Sequence, residues 1–267
     1  MISKIVNLTL VIIFAVLVLL FAYKEIGKTE TVTAVIDDST SQKHDSLSKE
    51  NIEQIVKNYI LNNPEDLIKS VENLHEKHNK KLSIKIDEYI NNNFDKFTTQ
   101  NLPPYFGNPD GDIKIIVFFD YKCGYCHKSY LVEQQLISQD QNIQIILRPI
   151  PVLGDKSLYL TKIALAVHKV APELFANFHH DLMTIKDDSI ETIQKLFDLY
   201  QINPASIENE INSYHMKQLI GANLEFARGL HITGTPFYLI DNQIIKGLPT
   251  LERLKQVIST IRAKNNG

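Results

Sequence analysis

The stretch Ile113-Lys114-Ile115-Ile116-Val117-Phe118-Phe119-Asp120-Tyr121-Lys122-Cys123-Gly124-Tyr125-Cys126-His127 decides how the chain is read. Its first seven residues are β-branched or aromatic apart from one lysine, the composition of a buried strand. From His127 to about Ser138 the pattern is helical, which puts Cys123 at a helix start. Unpaired backbone N–H groups and the positive end of the helix dipole favour a thiolate there, and only the thiolate attacks a disulfide. Cys123 and Cys126 are the only cysteines among 267 residues. Their spacing lets them close a small disulfide and reopen it without any movement of the fold. The motif points to thiol–disulfide exchange.

Three other readings compete. A purely structural disulfide closing so short a loop removes little entropy from the unfolded chain. Zinc needs about four ligands, and no second cysteine pair exists, while His179-His180 lacks finger spacing. Haem is the serious rival, since Cys123 to His127 also spells C-x-x-C-H, with Met183 or Met216 as a distal ligand. On the motif alone that reading stays open, and context must decide.

Context comes from Thr233-Gly234-Thr235-Pro236-Phe237-Tyr238-Leu239-Ile240, where a proline stands at the first position of a strand and does least harm. Asp241-Asn242 reads as a two-residue turn, Gln243 to Lys246 as the return strand. Thr250 can cap a last helix with Leu251, Leu254, Val257, Ile258 and Ile261 on its apolar face. Strand, dithiol helix, strand, a long helical stretch, then proline, hairpin and helix is an α/β order: a thioredoxin fold with an inserted helical domain at about 155–221. Asn203-Pro204 and Gly221 are expected as breaks in or after that insertion.

From about Phe106 to Ile261 the chain resembles the DsbA-type, thioredoxin-fold protein-disulfide oxidoreductases of the bacterial envelope. Four ordered segments carry the resemblance: Gly107-Asn108-Pro109-Asp110-Gly111-Asp112, the run Phe118 to Cys126, Arg148-Pro149-Ile150-Pro151-Val152-Leu153-Gly154, and Ile232-Thr233-Gly234-Thr235-Pro236. It implies a cis bond before Pro236, with Thr235 and Pro236 facing the dithiol and binding substrate. Cys123 is then the nucleophile and Cys126 the resolving thiol. Gly124 and Tyr125 tune the thiolate, and no cofactor or metal is needed beyond the Cys123–Cys126 dithiol. Asp120, three residues before Cys123, reads as a proton relay or, preferably, as a strand-end residue bonding local backbone.

The N-terminus adds a compartment. Lys4 precedes an apolar segment, Ile5 to Tyr23, broken only by Asn7 and Thr9. Residues 1–23 therefore read as a signal peptide or an uncleaved anchor, just long enough to span a bilayer. Residues 24–47 are a polar tether. The expected location is the periplasm, released or tethered to the inner membrane. Expected partners are cysteine-containing exported clients and a membrane redox partner that re-oxidises or re-reduces the dithiol. A net charge of −3 gives no basic surface for nucleic acid.

Residues 48–100 read as a helical stalk, ahead of a catalytic domain at 101–267. Ile52, Ile55, Val56, Tyr59 and Ile60 recur at helical spacing, and Asn63-Pro64 restarts the helix. Leu67, Val71, Leu74, Ile86 and Ile90 continue a narrow stripe on a very polar helix. It either packs on the catalytic domain or joins copies into a homodimer or homotrimer. His75 and His78 share a face, weak grounds for a metal. The insertion holds His168, His179, His180 and His215, none expected to be catalytic. Formation, isomerisation and reduction of disulfides all remain open, as does a non-catalytic scaffold acting through the stalk. The Gly-Tyr pair and the threonine before Pro236 resemble the isomerase and reductase branch more than the oxidases.

Overall fold

The computed structural model describes residues 48–265. The expected signal or anchor and tether, residues 1–47, lie outside them. By its contacts the chain divides after residue 64 into two units, described here as residues 48–64 and 65–265. In the first, α1 (Lys49–Asn62) starts at Ser48, whose side chain accepts from the Asn51 N–H, and every apolar residue along it is exposed. Pro64 opens the next helix, α2 (Pro64–Thr99), where its missing N–H costs nothing.

In the second unit a five-stranded sheet runs in the order β1 (Tyr105–Gly107), β3 (Ile143–Pro149), β2 (Ile113–Phe119), β4 (Phe237–Ile240) and β5 (Gln243–Lys246). Strands β2 and β3 are parallel, joined through α3 (Gly124–Gln139), and the other pairings are antiparallel. The period of two divides β2 between two cores. Ile113, Ile115, Val117 and Phe119 join the layer holding α3 and α9 (Leu251–Asn265), while Ile116 and Phe118 face α2 and α8 (Tyr214–Gly229). That two-sided burial explains the unbroken apolar run.

Between β3 and β4 the insertion forms α4 (Asp155–Val170), a short 3-10 turn, α5 (Phe175–Thr184), α6 (Ile190–Leu199), α7 (Pro204–Ile211) and α8. The chain breaks at Asn203-Pro204 as expected, with Asn203 capping α7, but Gly221 lies within α8 and breaks nothing. That helix runs on to Gly229 because its last turns pack Ala222, Phe226 and Ala227 beneath the sheet.

The boundary at 100/101 needs correction. Ile86, Ile90 and Phe97 are buried in the second core with Leu82, Tyr89 and Phe94 packed around them, so the later part of α2 belongs to the catalytic unit. Gly229 is what lets α2 and α8 approach, since a Cβ there would come within 2.1 Å of the Tyr89 ring. Ile86 and Ile90 are therefore not available to join copies. Leu67, Ile68, Val71 and Leu74, earlier on α2, are exposed.

Candidate active site

Strand β2 delivers the chain to the dithiol. After Phe119 the backbone turns at Asp120, whose carbonyl accepts the Cys123 N–H at 3.0 Å. Cys123 is the N-cap of α3, in extended conformation, and its carbonyl accepts the N–H groups of Cys126 and His127 at 2.9 and 3.1 Å. The helix thus begins three residues earlier than the sequence pattern suggested, and both cysteines sit in its first turn.

The two thiols differ in environment. Cys123 is 9% exposed and Cys126 only 1%. No disulfide bond joins them in this structure. The Cys123 Sγ–H donates to the carbonyl of Thr235 at 3.3 Å, and the Thr235–Pro236 peptide bond is cis. The loop before β4, 112 residues along the chain, is thereby brought against the nucleophile position. Burial pushes the Cys126 thiol well up, so that sulfur keeps its proton at neutral pH. Tyr125 is exposed, with the Lys128 ammonium 5.6 Å from its ring centroid. Gly124 is exposed too, and nothing stands where a side chain at that position would go, so packing does not require glycine there.

Asp120 shapes the surroundings. Wholly buried, it accepts the Lys122 N–H at 2.8 Å on one oxygen. The other accepts the N–H groups of Val152 and Leu153 at 2.8 and 3.1 Å and the Ser157 hydroxyl at 2.6 Å. Four donors saturate it. It bonds local backbone as expected, but it also ties the dithiol turn to the loop after β3 and to the start of α4. On the rim, Lys122 pairs with Asp188, and Lys156 lies 4.0 Å from the same carboxylate.

The C-x-x-C-H reading does not fit this geometry. The His127 Nε2–H is committed to the Tyr121 carbonyl at 2.7 Å, and the Cys126 sulfur is covered, so the motif has no common open face for a porphyrin. His75, His78, His179, His180 and His215 do not converge, and among the described residues no three His, Cys, Asp or Glu side chains gather as metal ligands. His179 is instead buried in an aromatic box of Phe106, Phe119, Tyr121, Tyr130 and Phe175, its Nδ1 bonded to the Tyr121 hydroxyl at 2.9 Å.

The sequence reading missed one buried group on the dithiol helix. Glu133 is buried on α3 and accepts the Tyr238 hydroxyl at 2.5 Å. The signal was there: Cys126, Ser129, Tyr130, Glu133 and Leu136 follow the buried stripe of α3, and an acid in such a stripe calls for a reason.

A parallel β-α-β unit with a dithiol at the helix start, faced by a cis-proline loop, defines a thioredoxin-fold dithiol protein. The chain belongs to the thioredoxin family, whose sequence profile matches residues 99–260. Among curated proteins none matches it. Among solved structures it is similar to the thiol-disulfide exchange protein alpha-DsbA2 from Wolbachia pipientis, with 28% identity and a TM-score of 0.61 over 67% of this chain and 97% of that one. A thioredoxin-like oxidoreductase from Silicibacter pomeroyi DSS-3 is 25% identical, with a TM-score of 0.58 over 62% of this chain and 95% of that one. A linker-deletion mutant of Proteus mirabilis ScsC shares the fold at 21% identity, with a TM-score of 0.63 over 84% of this chain and all of the other (100%). The protein is a thiol–disulfide oxidoreductase of DsbA type.

Proposed function

We propose that the protein reshuffles disulfides in exported, cysteine-containing clients, and that it does so as a self-associated enzyme. The observation that carries the exchange chemistry is the asymmetry of the dithiol, with Cys123 at the helix start against the Thr235 carbonyl and Cys126 buried behind it. Cys123 attacks a client disulfide, and Cys126 resolves the mixed disulfide. Thr235 and Pro236 border the nucleophile, where an extended client segment adds to the Thr235 backbone. Gly124 and Tyr125, the exposed pair between the cysteines, tune the thiolate.

What supports self-association is the exposed row Leu67, Ile68, Val71 and Leu74 on an otherwise polar helix, together with the exposed apolar residues of α1. Gathering several dithiols around one client favours reshuffling over single oxidation, and a membrane partner keeps the dithiol reduced. Export rests on the apolar segment near the N-terminus and on cysteine usage suited to an oxidising compartment. Among the described residues no helix is long and apolar enough to cross a membrane.

The test is light scattering together with reactivation of scrambled ribonuclease, on the wild type and on a Leu67→Ser, Val71→Ser, Leu74→Ser variant. The wild type should be a dimer or trimer with isomerase activity. The variant should be a monomer that keeps insulin reductase activity and loses most reactivation. A wild type that is monomeric at micromolar concentration would instead assign the protein to the oxidases.

A further inference from the structure

The groove beside the dithiol helix carries charge and apolar surface that the exchange cycle, as described so far, leaves unused. It opens at His127, next to Cys126, and is lined by α3 on one side and by the end of α5 and the turn after it on the other. Its volume is about 590 Å³, and it is open along its length, which suits a chain segment better than an enclosed small molecule. Met183, 3% exposed, forms the floor with the half-buried Ile185, and Leu131, 53% exposed, is the apolar wall on α3. Two exposed lysines flank that surface, Lys128 on α3 and Lys186 just beyond α5. The other polar groups of the lining are already committed. The His127 ring bonds the Tyr121 carbonyl at 2.7 Å, and the Thr184 hydroxyl donates to the His180 carbonyl at 2.8 Å.

Among the described residues no carboxylate lines the groove, and neither Lys128 nor Lys186 forms an ion pair. The acids that follow Lys186 in the chain are engaged elsewhere. Asp188 pairs with Lys122 and lies 4.0 Å from Lys156, while Asp187 accepts the Ser189 and Thr192 hydroxyls at 2.9 and 2.7 Å ahead of α6. The result is a positive rim beside the dithiol in a chain whose net charge is −3. Solvated lysines by themselves are ordinary surface. Here they border apolar side chains left in water, since Tyr125, Lys128 and Leu131 succeed one another at a spacing of three along α3, with Tyr125 and Leu131 exposed. An apolar side chain flanked by carboxylates complements both parts of that surface.

The groove is also within reach of a bound client. His127, Lys128 and Leu131 follow Cys123 by four, five and eight residues, so the lining on α3 runs from about 6 to about 12 Å along the helix. An extended client covers about 3.3 Å per residue, which brings its residues about two to four positions from the attacked cysteine over the groove. We infer that this groove selects clients that carry an apolar residue flanked by aspartate or glutamate at that distance from the cysteine. The inference rests on the exchange chemistry proposed above and names the class of client. Backbone pairing at Thr235 accepts any sequence, whereas a pocket for side chains discriminates. The positive rim also speeds the encounter with an acidic segment, against the repulsion set by the net charge of the whole protein.

The test uses the full chain as Cys126→Ser, in which the adduct on Cys123 accumulates, and two peptides supplied as symmetric disulfides. One carries leucine between two glutamates, two to four residues to either side of its cysteine, and the other carries leucine between two lysines. The Cys123 thiolate attacks one peptide sulfur, and the second peptide leaves as a thiolate with the electron pair. Bis(2-hydroxyethyl) disulfide, uncharged and reaching only the dithiol, is the reference. In quenched flow at low salt the acidic peptide should react at least about tenfold faster than the basic one, with the ratio falling towards one as salt is raised. Lys128→Glu combined with Lys186→Glu should invert the ratio, and Leu131→Ser should slow both peptides about threefold without slowing the reference. All three side chains are exposed, so these variants should fold. The ratio decides, so any effect of the charges on the Cys123 thiolate itself cancels. Peptide rates within about twofold of each other, a faster basic peptide, or a preference for the acidic one that survives the double charge reversal would overturn the inference. A chain that fails to react even with bis(2-hydroxyethyl) disulfide would refute the exchange reading itself, a result distinct from these.

Discussion

Replacing Arg148 tests how the later part of α2 is held to the catalytic sheet. The residue is wholly buried on β3 and forms no ion pair among the described residues. Its Nε and Nη2 donate to the Phe97 carbonyl at 3.0 and 2.8 Å, Nη2 also donates to the Lys96 carbonyl at 2.9 Å, and Nη1 donates to Asn223 Oδ1 at 3.1 Å. Asn223 in turn donates to the Pro149 carbonyl at 3.0 Å. The cation therefore closes the C-terminal end of α2, where its charge meets the negative end of the helix dipole. Burial lowers its guanidinium to about 10, which leaves it charged at pH 7. Arg148→Met leaves the Phe97 carbonyl and the Asn223 amide oxygen buried without those donors, each costing about 1–3 kcal/mol. Removing a buried charge returns part of that. A net loss of about 3 kcal/mol should lower the melting temperature by about 6–12 °C in a domain of this size. Arg148→Lys keeps the charge without the fork and should fall between the two. Thermal unfolding followed by circular dichroism reads both variants. A shift below about 2 °C for Arg148→Met would refute the argument that this guanidinium anchors the helix.

Two further outcomes follow from burial. A chain beginning at residue 101 loses Ile86, Ile90 and Phe97 from the core along with the acceptors of Arg148, and should not give a cooperative unfolding transition, whereas one beginning near residue 80 should. Two buried groups give stability opposite pH dependences. Glu133 is raised from its ordinary 4.5 to about 7, so its contribution is complete below 4.5 and is lost as pH rises through 7, about 3 kcal/mol in all. His179, brought down by burial from 6.5 to about 3, contributes fully above 6.5, and that contribution is lost as pH falls through 3. Between pH 4.5 and 6.5 the two oppose each other, so urea midpoints should be nearly level there in the wild type and should rise with pH in Glu133→Gln; a variant profile that stays level would disprove the assignment.

The dithiol, the strand before it and the proline-hairpin-helix ending were legible because each depends on local chemistry. A β-branched run makes a strand wherever it is buried, Thr250 caps whatever helix follows it, and Asp241-Asn242 turns because aspartate tolerates positive φ. What escaped depends on partners distant in sequence. Whether Ile86 and Ile90 join copies or fill the protein's own core depends on Gly229, about 140 residues away, which no periodicity in α2 reveals. Arg148 stood within a segment quoted for its resemblance, but its role as the anchor of α2 comes from Phe97 and Asn223. Gly221 shows the converse error, since a glycine inside a helix looks like punctuation until the packing of the following turns is known. Glu133 lay in plain view on a buried stripe, and its partner, the Tyr238 hydroxyl, is 105 residues on.

The central claim is that Cys123 attacks and Cys126 resolves. It is tested most directly by trapping the mixed disulfide in single-cysteine variants. Cys126→Ser incubated with scrambled ribonuclease, quenched in acid and mapped by mass spectrometry, should accumulate a client adduct on Cys123. Cys123→Ser under the same conditions should show almost none on Cys126, whose thiol is covered and protonated. Equal trapping by the two variants, or no adduct with either, would contradict the account.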